Sequence, residues 1–299
     1  MSARVALLLA CVLVTSRAVA TPPLEAELER GHVQLSAQAL FGVATAPFEV
    51  SSLRQAKGQA FVFDAAARYA VTDPLSVELR VPWILGSVAQ PAGSYVDAAA
   101  LGNPQLGARY RIASSSTGAA RFSVDALLNL GLPVASHAAD LMPNRLLAIA
   151  NGVEGRGRPD WFSPGALPIT AGVRARWAWP AWSVAGALEL PLLIRTSQAD
   201  LPAETTHTKA LGFAIIAFAE LRYRLTRRWT LALAEQVFFD VSPLASYAAE
   251  VSPIQDFERL GVHIQLGSST TLSIDLQTAI AGELGGSMLA GGLRTTTAF

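Results

Sequence analysis

From about residue 33 to the C-terminus the chain alternates apolar residues with polar or small ones. A period of two puts one set of side chains on each face of an extended strand. The first segment sets Val33, Leu35, Ala37, Ala39, Phe41 and Val43 against His32, Gln34, Ser36, Gln38 and Gly42. The second has Phe61, Phe63, Ala65, Ala67, Tyr69 and Val71 on one face, with Asp64 and Arg68 on the other. Thr72-Asp73-Pro74 then marks a tight turn, since proline cannot continue a ladder. A third strand opposes Leu75, Val77, Leu79, Val81 and Trp83 to Ser76, Glu78 and Arg80. The pattern continues through Pro104–Ile112, Arg121–Leu132, Ile169–Trp179, Trp182–Arg195, Ala210–Leu225, Trp229–Val241, Phe257–Leu266, Thr270–Ile280 and Met288–Phe299.

Short joints follow strands two, four, six, eight and ten. The intervening joints, 44–58, 86–103, 133–166, 195–209 and 242–256, are long, with 282–287 the short exception. A soluble sandwich has no need of alternately short and long connections. A transmembrane antiparallel up-and-down β-barrel does, with short turns on the periplasmic side and apolar residues facing lipid. The expectation is therefore an all-β, outer-membrane β-barrel of about twelve strands. The even count returns both termini to one side. Tyr69, Tyr110, Trp177, Trp179, Trp182, Tyr223 and Trp229 all fall near short joints, as an interfacial aromatic girdle requires. The terminal aromatic, Phe299, resembles the signal through which the barrel-assembly machinery takes up a last strand.

Charge sharpens the assignment of faces. Arg68, Glu78, Arg80, Arg109, Arg111, Asp125, Arg174, Arg176, Glu189, Glu220, Arg222, Arg224 and Asp275 share the inward parity and are the pore-lining candidates. Turning such arginines towards lipid would cost about 2–4 kcal/mol each at the bilayer midplane. Inside, mixed signs allow either an ion-pair network that fills the barrel or a charged ring that selects passing solutes, with the arginines favouring anions. The 133–166 joint, rich in glycine and proline, is long enough to fold into the lumen or to form an outer binding surface.

The best catalytic candidates are His263, Ser273 and Asp275, which share the inner face of one hairpin; a serine nucleophile needs a base in reach and a third group to orient it. Polar residues are expected there in any case, so no catalytic site is assigned. The other histidines, His32, His137 and His207, are scattered, and no HExxH, CxxC, Walker-type or GxSxG pattern occurs. No cofactor-binding or metal-binding residues are expected.

Composition agrees. The chain is 51% hydrophobic with a mean hydropathy of +0.35, yet no stretch after residue 20 is apolar for the length of a membrane helix. The N-terminus reads as a signal peptide over residues 1–20: Arg4, an apolar run from Val5 to Val14, then Ala18-Val19-Ala20 as a small-x-small cleavage pattern. Lipidation at Cys11 after Leu8-Leu9-Ala10 is the competing reading. Cleavage after Ala20 removes the single cysteine and leaves residues 21–299 as one barrel. It also changes 23 basic and 23 acidic residues into 21 and 23, a balance that argues against nucleic-acid binding.

One stretch carries a family likeness. Ala67-Arg68-Tyr69-Ala70-Val71-Thr72-Asp73-Pro74-Leu75-Ser76-Val77-Glu78-Leu79-Arg80-Val81-Pro82-Trp83 resembles a phrase of the outer-membrane transporters related to the meta-pathway of phenol degradation. Leu101-Gly102-Asn103-Pro104-Gln105-Leu106-Gly107-Ala108-Arg109-Tyr110-Arg111 is similar to their next strand, with Asn103-Pro104 where a glycine-rich "GLGD" phrase has aspartate. The resemblance implies an outer-membrane channel or uptake protein for small, hydrophobic or aromatic molecules, in contact with outer-membrane lipid, and carries over no site residue. A non-transporting structural or surface-binding barrel is the alternative, and an outer-membrane hydrolase a third.

Overall fold

The computed structural model describes residues 28, 30–50, 53–90, 93–135, 146–147, 149–150, 153, 159–163, 165–196, 210–242, 254–281 and 288–299. The expected signal peptide lies outside these. The elements are β1 (Val33–Val50), β2 (Leu53–Ala70), β3 (Leu75–Ala89), β4 (Tyr95–Leu101), β5 (Gln105–Thr117), β6 (Ala120–Gly131), a one-turn helix α1 (Pro159–Phe162), β7 (Ala166–Ala178), β8 (Trp182–Arg195), β9 (Leu211–Arg224), β10 (Trp229–Ser242), β11 (Ile254–Gln265), β12 (Thr270–Ala281) and β13 (Met288–Ala298).

All strand pairs are antiparallel, and the ring closes where β1 meets β13, from Gln34↔Ala298 to Ala44↔Met288. Backbone bonds between Phe299 and Val33, 2.8 and 3.2 Å long, seal that seam at the short-turn end. Closure leaves no strand edge unpaired in a medium without water, the condition for a sheet to span lipid.

Thirteen strands fill twelve wall positions. β3 pairs with β5 over Leu75–Arg80 and with β4 over Trp83–Ala89, so β4 and β5 are two halves of one interrupted wall strand. The interruption is Gly102-Asn103-Pro104. Pro104 has no N–H to donate, and a Cβ on Gly102 would sit 2.7 Å from the Trp161 carbonyl oxygen. The chain admits a foreign segment against the wall at this point.

Two of the expected long joints are strand instead. In the 44–58 region, β1 and β2 continue their ladder to Val50↔Leu53, with a register shift after Pro47. In the 86–103 region, β3 runs on to Ala89 and β4 returns from Tyr95, around a turn with Gly93 at φ +82°. Both extensions carry the ladder past the strongly alternating stretch. The 195–209, 242–256 and 282–287 joints lie largely or wholly outside the described residues.

The outer wall is predominantly apolar, with the cross-strand pair Glu235 and Glu258 as an exception at outward positions of β10 and β11. Leu79, Leu106, Leu276 and Leu293 are each more than half exposed, with Phe41, Phe63, Trp83 and Val173 among their neighbours on the same surface. In water this would be an aggregation hazard; against acyl chains it is burial. Tyr69, Tyr110, Trp177, Tyr223 and Trp229 are exposed near the short turns. Trp177 stacks on Trp179 at 5.0 Å, and Trp182 meets Tyr223 at 4.4 Å. Among the described residues no helix is long and apolar enough to cross a membrane; the crossing elements are strands.

Candidate functional site

The lumen divides into two unlike halves. Towards the long-loop end the inward positions are apolar: Leu40 and Ala44 on β1, Ala60 and Val62 on β2, Ile84 and Val88 on β3, Ala100 on β4, Phe257 on β11, and Met288 and Ala290 on β13. They form one buried cluster with Ala135, Leu146, Leu147, Ile149, Ala150, Val153, Trp161 and Phe162. The described part of the 133–166 connection therefore folds into the barrel. Residues 146, 149, 150 and 153 are helical and spaced i, i+3, i+4, i+7, which gathers them on one face.

That helical stretch approaches the wall at glycines. A Cβ on Gly58 would lie 2.7 Å from Ile149 Cδ1, and one on Gly86 would lie 2.7 Å from Leu146 Cδ1. On the far side, the side-chain amide of Gln277 donates to the Val153 carbonyl.

The inward segment is latched at the interrupted wall strand. Asn103, fully buried, donates through Nδ2 to the carbonyls of Asp160 (3.2 Å) and Ser163 (3.0 Å), and its Oδ1 accepts from the Ala135 amide at 2.9 Å. Its backbone N–H donates to the Trp161 carbonyl at 2.7 Å. Asp160 is itself held through Oδ2 by Gln105 Nε2 at 2.5 Å and Thr170 Oγ1 at 3.3 Å. Buried polar groups persist only when bonded, and here both sides of the latch supply partners.

Below this apolar half, a polar cavity of about 270 Å³ occupies the lumen. Of the thirteen inward charges expected from the sequence, Arg68, Glu78, Arg80, Arg109, Arg174, Glu189, Glu220 and Arg222 line it. Arg111, Asp125, Arg176, Arg224 and Asp275 occupy inward register positions outside its wall. Arg80 bonds Glu78 at 2.9 and 3.0 Å, lies 3.4 Å from Asp64, and sits 5.0 Å from the centre of the Trp161 ring. Arg222 meets Glu220 at 2.5 Å, and Arg111 meets Asp125 at 3.7 Å. Guanidinium groups suit such sites because a planar fork grips a carboxylate through two bonds.

The cavity wall also includes Gln38 and Gln105, whose inward parity the alternation gives, and Trp161, Arg259 and Arg294, which lie outside the pore-lining candidates. Arg259 and Arg294 share the parity of their strands' other inward residues, so continuing the alternation through β11 and β13 would have found them. Each is held by a glutamine: Gln277 Oε1 accepts from Arg259 at 2.8 and 3.1 Å, and Gln38 Oε1 accepts from Arg294 at 2.6 and 2.9 Å.

The hydrolase arrangement is only partly assembled. His263 and Ser273 are direct cross-strand partners, with Nδ1 and Oγ 2.6 Å apart. The other ring nitrogen, Nε2, is buried without a hydrogen-bond partner, so no carboxylate orients the imidazole as a relay requires. Among the described residues no cluster of three or more histidine, cysteine, aspartate or glutamate side chains could hold a metal ion.

A closed twelve-position ring, apolar outside and charged within, is a transmembrane β-barrel of the outer-membrane type. No protein-family model and no curated protein matches the sequence. The fold is similar to the COG4313 outer membrane channel from Pseudomonas putida F1, at TM-score 0.63 and 15% identity, covering 93% of this chain and all of that one. It is also similar to the NanC porin, at TM-score 0.50 and 7% identity, over 87% of this chain and 98% of that one. At these identities the likeness is one of fold.

Proposed function

We propose that this protein is an outer-membrane channel or uptake protein for small molecules, hydrophobic or aromatic ones among them. The observation that carries the reading is the charged cavity inside a closed, lipid-facing barrel, directly beneath a segment of the chain's own 133–166 connection. A barrel that only anchored a surface would have no need to keep a polar space there. The inward segment constricts the route, and the apolar half above the cavity offers carbon-rich surface to a hydrophobic solute. The likeness to a channel and to a porin supports the same reading, as does the resemblance of residues 67–83 to the phenol meta-pathway transporters.

The attendant assignments belong to this proposal. Residues 1–20 direct export and are removed, residues 21–299 form the barrel, and the last strand with Phe299 engages the barrel-assembly machinery of a Gram-negative-type outer membrane. One observation favours a second reading, a non-transporting structural or surface-binding barrel: the long-loop half of the lumen is packed as a buried apolar core.

Single-channel recording from the refolded chain in planar bilayers separates the two. Discrete conductance steps are expected for a channel. Silence from heat-resistant, correctly folded barrels, together with no flux of small aromatic solutes into proteoliposomes, would leave the structural reading in its place.

A further inference from the structure

Gln277 stands on β12 at the border between the two halves of the lumen. Ser273 and Asp275 precede it on the inward face, and Ala279 beyond it packs against the apolar cluster. Gln277 is itself buried, and both ends of its amide are engaged. Its Oε1 accepts from Arg259 at 3.1 and 2.8 Å, and its Nε2 donates to the Val153 carbonyl. A guanidinium can only donate and a carbonyl can only accept, so the amide has one workable orientation. Glutamate in its place would lack the donor, and leucine would lack both groups.

Val153 belongs to the inward segment. It is fully buried, and a Cβ on Gly42 of β1 would lie 3.0 Å from its Cγ1. The segment's other anchor, Asn103, stands across the lumen: the ring passes from β12 through β13, β1, β2 and β3 to reach β4. The two anchors are unequal. At Asn103, four hydrogen bonds join Ala135, Asp160, Trp161 and Ser163, while Gln105 and Thr170 also hold Asp160. At Val153, among the described residues, one hydrogen bond comes from the wall. Apolar packing between the anchors is not directional, so the bonds set where the segment stops. A bar held in this way opens first at its less protected end, with the other as its hinge. Arg259, which orients the amide at the weaker end, lines the polar cavity.

We infer that Gln277 is the catch of a gate built into the lumen. It holds the Val153 end of the inward segment across the route, Arg259 keeps its amide turned to donate, and release lets that end swing about Asn103. The inference rests on the channel reading and deepens it by naming what holds the constriction shut. Arg259 is a positioning residue here, acting on the segment through Gln277, so the catch is set from within the cavity.

Gln277→Glu separates a catch from a merely structural glutamine. The carboxylate keeps the bonds to Arg259 but turns an acceptor towards the Val153 carbonyl, so the tie to the segment alone is lost. Two readings are taken on the whole refolded barrel. In single-channel recordings, the fraction of time spent at a larger conductance level should rise several-fold, with heat resistance unchanged. In hydrogen exchange, the amides of Ile149, Ala150 and Val153 should exchange about tenfold faster, while those of residues 160–163 stay as protected as before. Arg259→Met, which frees the Gln277 amide to turn, should move both readings the same way by a smaller factor. Unchanged exchange at Val153 in Gln277→Glu would overturn the inference, and so would equal acceleration at residues 160–163, since the whole segment would then loosen together. Faster exchange without a change in conductance would overturn it too, leaving the tie structural. Unchanged readings in Arg259→Met would remove the role given to Arg259. Exchange needs no current, so silence from both barrels in bilayers would sink the channel reading while exchange still decides whether the tie exists.

Discussion

The two halves of the lumen are made by the same strands with opposite chemistry. β2 turns Arg68 and Asp64 inward near the short turns, then Val62 and Ala60 further on. β3 does likewise, from Glu78 and Arg80 to Ile84 and Val88. β1 passes from Gln38 to Leu40. The parity never changes; only the residue type does. Where inward side chains are charged, they bond one another and keep a cavity between them. Where they are apolar, the 133–166 segment covers them, because apolar surface left in a water-filled lumen costs about 25 cal/mol per Å². An inward face is therefore a record of what fills the space.

The contrast is broken most severely from the apolar side. Ile149 is fully buried against the wall. Truncating such a side chain costs about 2–5 kcal/mol, and Ile149→Asp adds an unpaired carboxylate, so the inward segment should leave the lumen. The expected readout is a several-fold rise in conductance with the heat-resistant barrel retained. Protease sensitivity between β6 and β7 should rise in parallel.

Neighbours on β3 test the two faces directly. Leu79 is 53% exposed on the outer wall, whereas Arg80 points into the cavity. Leu79→Arg should destabilise the barrel in bilayers by about 2–4 kcal/mol, read from its denaturant midpoint. At the border between the halves, Asn103→Ala strips the latch of its side-chain bonds and leaves buried partners unmet, at about 1–3 kcal/mol. The barrel should stay folded while residues 159–163 exchange amide hydrogen faster. Arg80→Gln is the mildest, keeping a polar side chain in place while removing the ion pairs with Glu78 and Asp64 and a contact with Trp161, each about 0.5–1 kcal/mol. Its main effect should be a weaker anion preference.

Much of this was legible in the sequence. Lipid demands apolar residues at every second position, so the outer face, the short turns and the inward charges stand out in the alternation. The extensions to Val50 and Tyr95 did not, because Pro47, Gly86 and Gly93 read there as turn signals. The filling of the lumen left a fainter trace. Phe61-Val62-Phe63 and Trp83-Ile84-Leu85 are apolar on both faces, which a water-filled barrel would avoid. Leu146, Ile149, Ala150 and Val153 repeat at helical spacing. Together they announce a segment and its seat, but neither pattern alone says that the two meet. Asn103 gave less warning still. Its role depends on carbonyls more than fifty residues away, and no local pattern encodes such a partner.

The central claim is that a conducting, charged half lies in series with an apolar half constricted by the chain itself. Paired single-channel recordings of the unaltered barrel and Ile149→Asp, under a salt gradient, test it most directly. The account predicts small anion-preferring steps in the first and larger steps of the same preference in the second. Equal conductance in both, or silence from both when correctly folded, would contradict it.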